Sequence, residues 1–308
     1  MLTEFIKDRN LSSSSIRNYR SAVRLYENIN SKTLNELIDE AEREELEKIR
    51  WKDRRLKKRL IRYRSYLYEN KVETTAIKYL TNIKTIYGHF EIELQSLPSF
   101  NSKQMNKPVE IRFKDLPTRK NIKDAYDIAN PITGLIILLI TTSGMSKAEI
   151  LNLTVDDFLK ANKSSIPTFY LTRQKTKKEF FTFTTPRTSE KISTYIKMND
   201  LEPKDKLFNI AESQLTRNMQ CINDELGLGR VGNYSRFRCH MLRKYHASNL
   251  LNNTSFTLDE IDTLQGRSKN KIHRSYFLND EEKLKEKYVR HIDVIDIISS
   301  QCEYSKYE

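Results

Sequence analysis

Cysteine is scarce in this chain of 308 residues: Cys221, Cys239 and Cys302 are all it has. Their number is odd and no two stand close, so neither a disulfide framework nor a zinc-ligand set is supported. Long apolar runs are lacking too. The longest, residues 135–140, falls far short of the ~20 residues a membrane span requires, and it reads as part of a buried helix. The opening residues carry no signal-peptide pattern, so the expected location is the cytoplasm. No internal repeat or low-complexity tract occurs. Acidic residues are in deficit: 41 Asp+Glu against 54 Lys+Arg give a net charge of +13. The excess is present in the first hundred residues and in the remainder alike, so it is not a basic tail on a neutral chain. Charge of this size favours a polyanionic partner.

Helical periodicity dominates the first hundred residues. Serines 12–15 offer N-caps before the stripe Ile16, Tyr19, Val23, Tyr26, and Thr33 opens a second helix with Leu34, Leu37 and Ile38 on one face. Residues 48–64 hold ten cations and one acid. Trp51, Leu56, Leu60 and Tyr63 are spaced as the core face, leaving Arg54, Arg55, Lys58 and Arg62 for the other side. That side is either an ordinary solvated face or a surface lying along phosphates, and the imbalance of sign favours phosphates. Thr74 is expected to cap a further helix. Prolines then bracket a polar stretch near residues 97–108, where a domain boundary is expected.

The second half mixes element types. Residues 131–141 read as a buried helix and 148–153 as the start of another. Residues 168–173 and 179–185 read as two β-rich runs joined by a basic turn, a hairpin without the usual glycine. Helix returns from Ser189, with breaks at residues 227–233 and near Gly266. The expected class is therefore mainly α with a small antiparallel sheet.

One constellation carries chemistry. Tyr276 follows Arg267, and His240 and Arg243 lie upstream. A phenol is a poor nucleophile at neutral pH, its pKa being about 10. Among phosphate-binding cations it becomes a plausible attacker of a phosphodiester. Arg243 and Arg267 can each fork onto non-bridging oxygens and stabilise the charge of a pentacoordinate phosphorus. His240 can donate to the same oxygens or take the tyrosine proton. Lys175, at the tip of the basic hairpin, can protonate the departing 5′-oxygen. Fixed cations then do the work of a magnesium ion, so neither metal nor cofactor is expected.

At these residues the chain resembles the tyrosine recombinases, or phage-type integrases, over nearly its whole length. Ser143-Gly-Met-Ser-Lys-Ala-Glu149 is similar to the family's first motif, Gly-Leu-Arg-x-x-Glu-Leu. Lys175 falls where the family's hairpin lysine sits, His240-Met-Leu-Arg243 is similar to the second motif, His-x-Leu-Arg, and the interval from Arg267 to Tyr276 equals the family's. The wording is closest to archaeal proviral integrases. Three positions depart. Ser146 holds the slot of the first arginine, with Lys147 beside it as a replacement cation one residue along. Lys244 stands where a histidine often follows Arg243. Arg267 replaces a histidine or tryptophan.

The resemblance implies a helical, SAM-like core-binding domain over residues 1–100, a linker over 101–112 and a DNA breaking-rejoining catalytic domain over 113–308. It implies double-stranded DNA as partner, with Lys177 and Lys244 joining the helical cations as contacts, and a nucleoid-associated location. It also implies a cyclic homotetramer joined through the C-terminal helix, whose stripe Tyr288, Ile292, Ile295, Ile298 fits packing on its own domain equally well. The activity implied is site-specific recombination through a 3′-phosphotyrosyl link. A DNA-binding relative without strand transfer and a topoisomerase-like nicking-closing enzyme are the alternatives.

Overall fold

The computed structural model describes residues 1–101, 105–174, 176–267 and 280–298. The chain divides into two compact units, Met1–Glu110 and Ile111–Glu308.

The first unit is built from α1 (Leu2–Asp8), α2 (Ser13–Asn30), α3 (Leu34–Leu46), α4 (Arg55–Asn70) and α5 (Glu73–His89). Ser12 caps α2, and Thr33 with Glu36 forms a capping box at α3, as the serine and threonine placements predict. The apolar stripes meet in one core around Phe5, Tyr26, Leu60, Tyr63, Ile83 and Tyr87. Its phenols are satisfied internally: the Tyr26 and Tyr87 hydroxyls lie 3.1 Å apart, and Tyr63 donates to the Ala22 carbonyl at 3.0 Å. The start of α5 differs from expectation. Val72, not Thr74, is its N-cap, because the Glu73 N–H is satisfied by the Asn106 carbonyl at 2.9 Å and no side-chain cap is required. Met105 is buried in the same core.

The second unit opens with α6 (Arg119–Ile128), α7 (Pro131–Ser143), α8 (Lys147–Ile150) and α9 (Val155–Ala161). Strands β1 (Thr168–Thr172) and β2 (Glu179–Phe183) follow as an antiparallel pair with Thr168 opposite Phe183. Then come α10 (Pro186–Met198), α11 (Glu212–Glu225), the small pair β3 (Arg230–Val231) and β4 (Tyr234–Ser235), α12 (Cys239–Asn253), α13 (Leu258–Leu264), α14 (Glu281–Arg290) and α15 (Ile292–Ile295). The β3–β4 pair lies where the sequence reads only as a break; Gly232, at φ +58°, turns it. Helix α10 begins at Pro186, capped by Thr185, earlier than the expected Ser189.

The architecture is thus mainly helical with a small antiparallel sheet. Helix α7 is the axis of the second unit: residues 133–143 are all buried, which suits a helix apolar all round. The C-terminal stripe is filled from its own unit. Tyr288, Ile292 and Ile295 pack with Phe183, Leu250 and Phe256, and the Tyr288 hydroxyl donates to the Thr142 carbonyl at 2.9 Å. No described helix is long and apolar enough to cross a membrane.

Candidate active site

The site is assembled at the exit of α7. The chain leaves that helix at Gly144 with φ +66°, a left-handed conformation suited to glycine. Its carbonyl is freed from helical bonding and accepts from Arg243 Nη1, brought in by α12. Arg243 Nη2 donates to the Gln265 carbonyl at 2.5 Å, just past the end of α13. The Gln265 amide closes the clasp. Its Nε2 donates to the Arg243 carbonyl at 3.1 Å and lies 2.9 Å from His246 Nδ1. Arg243 is only 5% exposed, so its guanidinium is held rather than solvated.

Further cations surround it. Arg173, just past β1, donates from Nη1 to the same Gln265 carbonyl at 3.0 Å and lies 3.8 Å from Glu149 Oε1. Glu149 is buried, and its other oxygen accepts from the Ser146 N–H at 2.7 Å. Arg267 is 3.5 Å from Asp262, and Lys178 donates to the Arg267 carbonyl at 3.2 Å. Arg238 stacks over the Tyr234 ring with 4.2 Å to its centroid. His240 sits at the first turn of α12, on the rim of a 570 Å³ cleft lined also by Lys147, Arg238 and Arg243.

The electrostatics are those of cations kept together without enough counter-charge. Burial, then Arg173 and Arg267, pull the Arg243 pKa down to about 9, against the opposing pull of Glu149. Burial and the cations Lys244, Arg238, Arg243 and Arg267 hold His240 below the ordinary histidine value. Lys244 is lowered by burial and by Arg238 and Arg267. Such a nest gains most from an anion with several acceptor oxygens, and a phosphodiester is one. The lowered pKa of His240 favours its neutral ring. Among the described residues no group of His, Cys, Asp and Glu is arranged to hold a metal ion.

The site therefore gathers Arg243, Arg267, His240 and Lys244. Lys147 borders the same cleft, but its ammonium lies 2.8 Å from Glu212 and 3.4 Å from the Thr216 hydroxyl on α11. Ser146 is the N-cap of α8. Lys175 and Tyr276 lie outside the described residues. Lys177 is exposed beside the hairpin turn at φ +53°. Of the α4 cations, Arg55, Lys58 and Arg62 are exposed. Arg54 is not on that face: it is buried, donating to Glu45 at 2.7 Å and to the Ile49 carbonyl at 3.0 Å, because the turn before α4 folds it back over the end of α3. Sequence reasoning assigned no role to Arg173, Gln265 or His246. Signals existed for Arg173, which leaves the strand just before the basic turn, and for Gln265, two residues before Arg267.

Residues 118–283 match the profile of the phage integrase family. The chain belongs to that family. This integrase-family chain is similar in fold to a lambda integrase dimer bound to a COC′ core site, at 12% identity over 90% of this chain and 95% of the other, with a TM-score of 0.59. The Tn1549 transposon integrase in complex with circular intermediate DNA aligns at 11% identity over 94% of this chain and 98% of the other, TM-score 0.57. XerH site-specific recombinase bound to its difH substrate aligns at 20% identity over 75% of this chain and 69% of the other, TM-score 0.53. No curated protein matches the sequence.

Proposed function

We propose that this integrase-family chain is a site-specific DNA recombinase acting through Tyr276. The observation that carries the reading is Arg243, buried and pinned between the Gly144 and Gln265 carbonyls with Arg173, Arg267 and His240 around it. In the reaction the Tyr276 oxygen loses its proton to a base, the role proposed for His240, and bonds to phosphorus. The bond from phosphorus to the 5′-oxygen breaks, and that oxygen takes a proton from Lys175. The 3′-phosphotyrosyl link conserves the bond energy, so the 5′-hydroxyl of a partner strand reverses the step. The guanidiniums meet the charge that builds on the non-bridging oxygens.

Double-stranded DNA is the proposed partner, with the first unit and the exposed α4 cations along its phosphates. Integration or excision of a mobile element, of the archaeal proviral kind, is the proposed use. A homotetramer on DNA remains part of the proposal, but filling of the α14–α15 stripe from its own unit favours a protomer contact elsewhere on the surface. A second reading, DNA binding without strand transfer, draws on Ser146 in the first-motif slot. Randomised duplexes, each nicked so that the cleaved end diffuses away, separate the two. Wild-type protein is expected to be trapped as a covalent species on a denaturing gel, and Tyr276→Phe is not. No adduct from the wild type anywhere in the pool favours the binder.

A further inference from the structure

The first motif holds Ser146 where an arginine is expected, yet it keeps its carboxylate, Glu149, buried and oriented by the Ser146 N–H at 2.7 Å. That carboxylate faces a guanidinium from elsewhere in the chain, Arg173, at 3.8 Å. We infer that Arg173 supplies the second guanidinium of the phosphate site, in place of the arginine the first motif lacks. The inference rests on the strand-transfer reading above.

Three observations carry it. Arg173 and Arg243 converge on one acceptor, the Gln265 carbonyl, at 3.0 and 2.5 Å, which sets the two guanidiniums side by side. Among charged neighbours, Arg173 acts most strongly on Arg243, ahead of Glu149 and Arg267. Only Nη1 of Arg173 is engaged among the described residues, and the side chain is 20% exposed, so Nε and Nη2 remain to donate as a fork. The rival cations do not share this acceptor among the described residues. Lys147 is paired with Glu212 at 2.8 Å, and Arg238 is stacked on Tyr234, away from the Gln265 carbonyl and Glu149. A phosphodiester with two non-bridging oxygens then meets one guanidinium per oxygen, and Glu149 keeps Arg173 aimed when no DNA is bound.

The test uses the full chain and a nicked duplex recovered by trapping with wild-type protein. Its scissile group is either the natural phosphodiester or a methylphosphonate, in which a methyl replaces one charged oxygen. Arg173→Ala is expected to cut the phosphodiester about 100-fold more slowly than wild type, as for loss of one charge-stabilising donor. It is expected to cut the methylphosphonate at close to the wild-type rate, because the charge it served is gone. Arg173→Lys keeps a cation facing Glu149 and loses the fork, so its loss on the phosphodiester is smaller. Where Arg173→Ala does not fold, the two-substrate comparison is read on Arg173→Lys. Equal losses on both substrates would mean a merely structural arginine and overturn the inference. So would a smaller loss from Arg173→Ala than from Lys147→Ala. If the wild type forms no adduct at all, the strand-transfer reading itself has failed; an active wild type with an equally active Arg173→Ala defeats this inference alone.

Discussion

Gly144 lies against the ring of His246 so closely that a β-carbon on it would fall 2.5 Å from Nδ1, and 2.7 Å from the Gln265 amide nitrogen. The same residue sits at φ +66° and offers its carbonyl to Arg243. Gly144→Ala therefore strains the backbone and pushes apart the clasp that holds the guanidinium. The backbone component costs about 1–3 kcal/mol. Gly227 is the control: its φ is +59°, but nothing lies within 4 Å of a β-carbon there. Gly144→Ala should lower the urea midpoint clearly more than Gly227→Ala. Equal shifts would mean the clasp is loose.

His246 is wholly buried, and burial, with Arg243 and Arg267, drives its pKa down to about 3. Its Nδ1 lies 2.9 Å from the Gln265 amide nitrogen. The folded value lies below the unfolded one of about 6.5, so between the two the unfolded chain binds more protons and stability falls as pH falls. The loss approaches about 1.4 kcal/mol per pH unit. Between pH 6.5 and 5 the paired carboxylates contribute little, since Glu40, lowered to about 2, and Glu260 lose their share only at lower pH. His240, also lowered, adds to the slope. His246→Gln should flatten unfolding free energy against pH over this window more than His240→Gln does. An unchanged slope would place the acid sensitivity elsewhere.

The helical frame was largely legible in the sequence, and the clasp was not. Helix α7 announces itself by an Asn130-Pro131 start, an apolar run and a Gly144 stop, all local signals. The β1–β2 hairpin shows in two β-branched and aromatic runs. The clasp joins Arg243 to residues 99 and 22 positions away, and no spacing rule connects them before the helices pack. Arg54 illustrates the same limit. Counting charges finds a basic helix, but which cation folds back onto Glu45 depends on the turn after α3. The first-motif arginine was sought one residue along, at Lys147, because sequence adjacency is visible and the convergence of Arg173 on Gln265 is not.

An anion should stabilise the free protein through the cation nest. A ligand that binds only the folded state, at ten times its dissociation constant, adds about 1.4 kcal/mol. Sulfate also stabilises proteins non-specifically, by exclusion from their surface. The comparison is therefore between wild type and Arg267→Gln at matched sulfate and matched chloride ionic strength. Arg267 is partly exposed and pairs with Asp262 at 3.5 Å, so its loss should leave the fold intact. The sulfate-minus-chloride rise in melting temperature is expected to be larger for the wild type. Equal rises would leave the nest without anion affinity.

The α4 cations divide into two kinds, and salt dependence should tell them apart. Lys58 and Arg62 are exposed, whereas Arg54 is buried against Glu45 and the Ile49 carbonyl. A side chain that neutralises a phosphate releases a counterion, so removing it lowers the slope of log K against log salt by about 1. Lys58→Ala and Arg62→Ala should each show that drop and leave the melting temperature nearly unchanged. Arg54→Ala should do the reverse: the slope is kept, while about 2 kcal/mol of stability is lost with its charged hydrogen bonds. Titration of duplex DNA at several salt concentrations, with thermal melts of the same variants, reads both. If Arg62→Ala leaves the slope unchanged, this face of α4 does not lie along the phosphates.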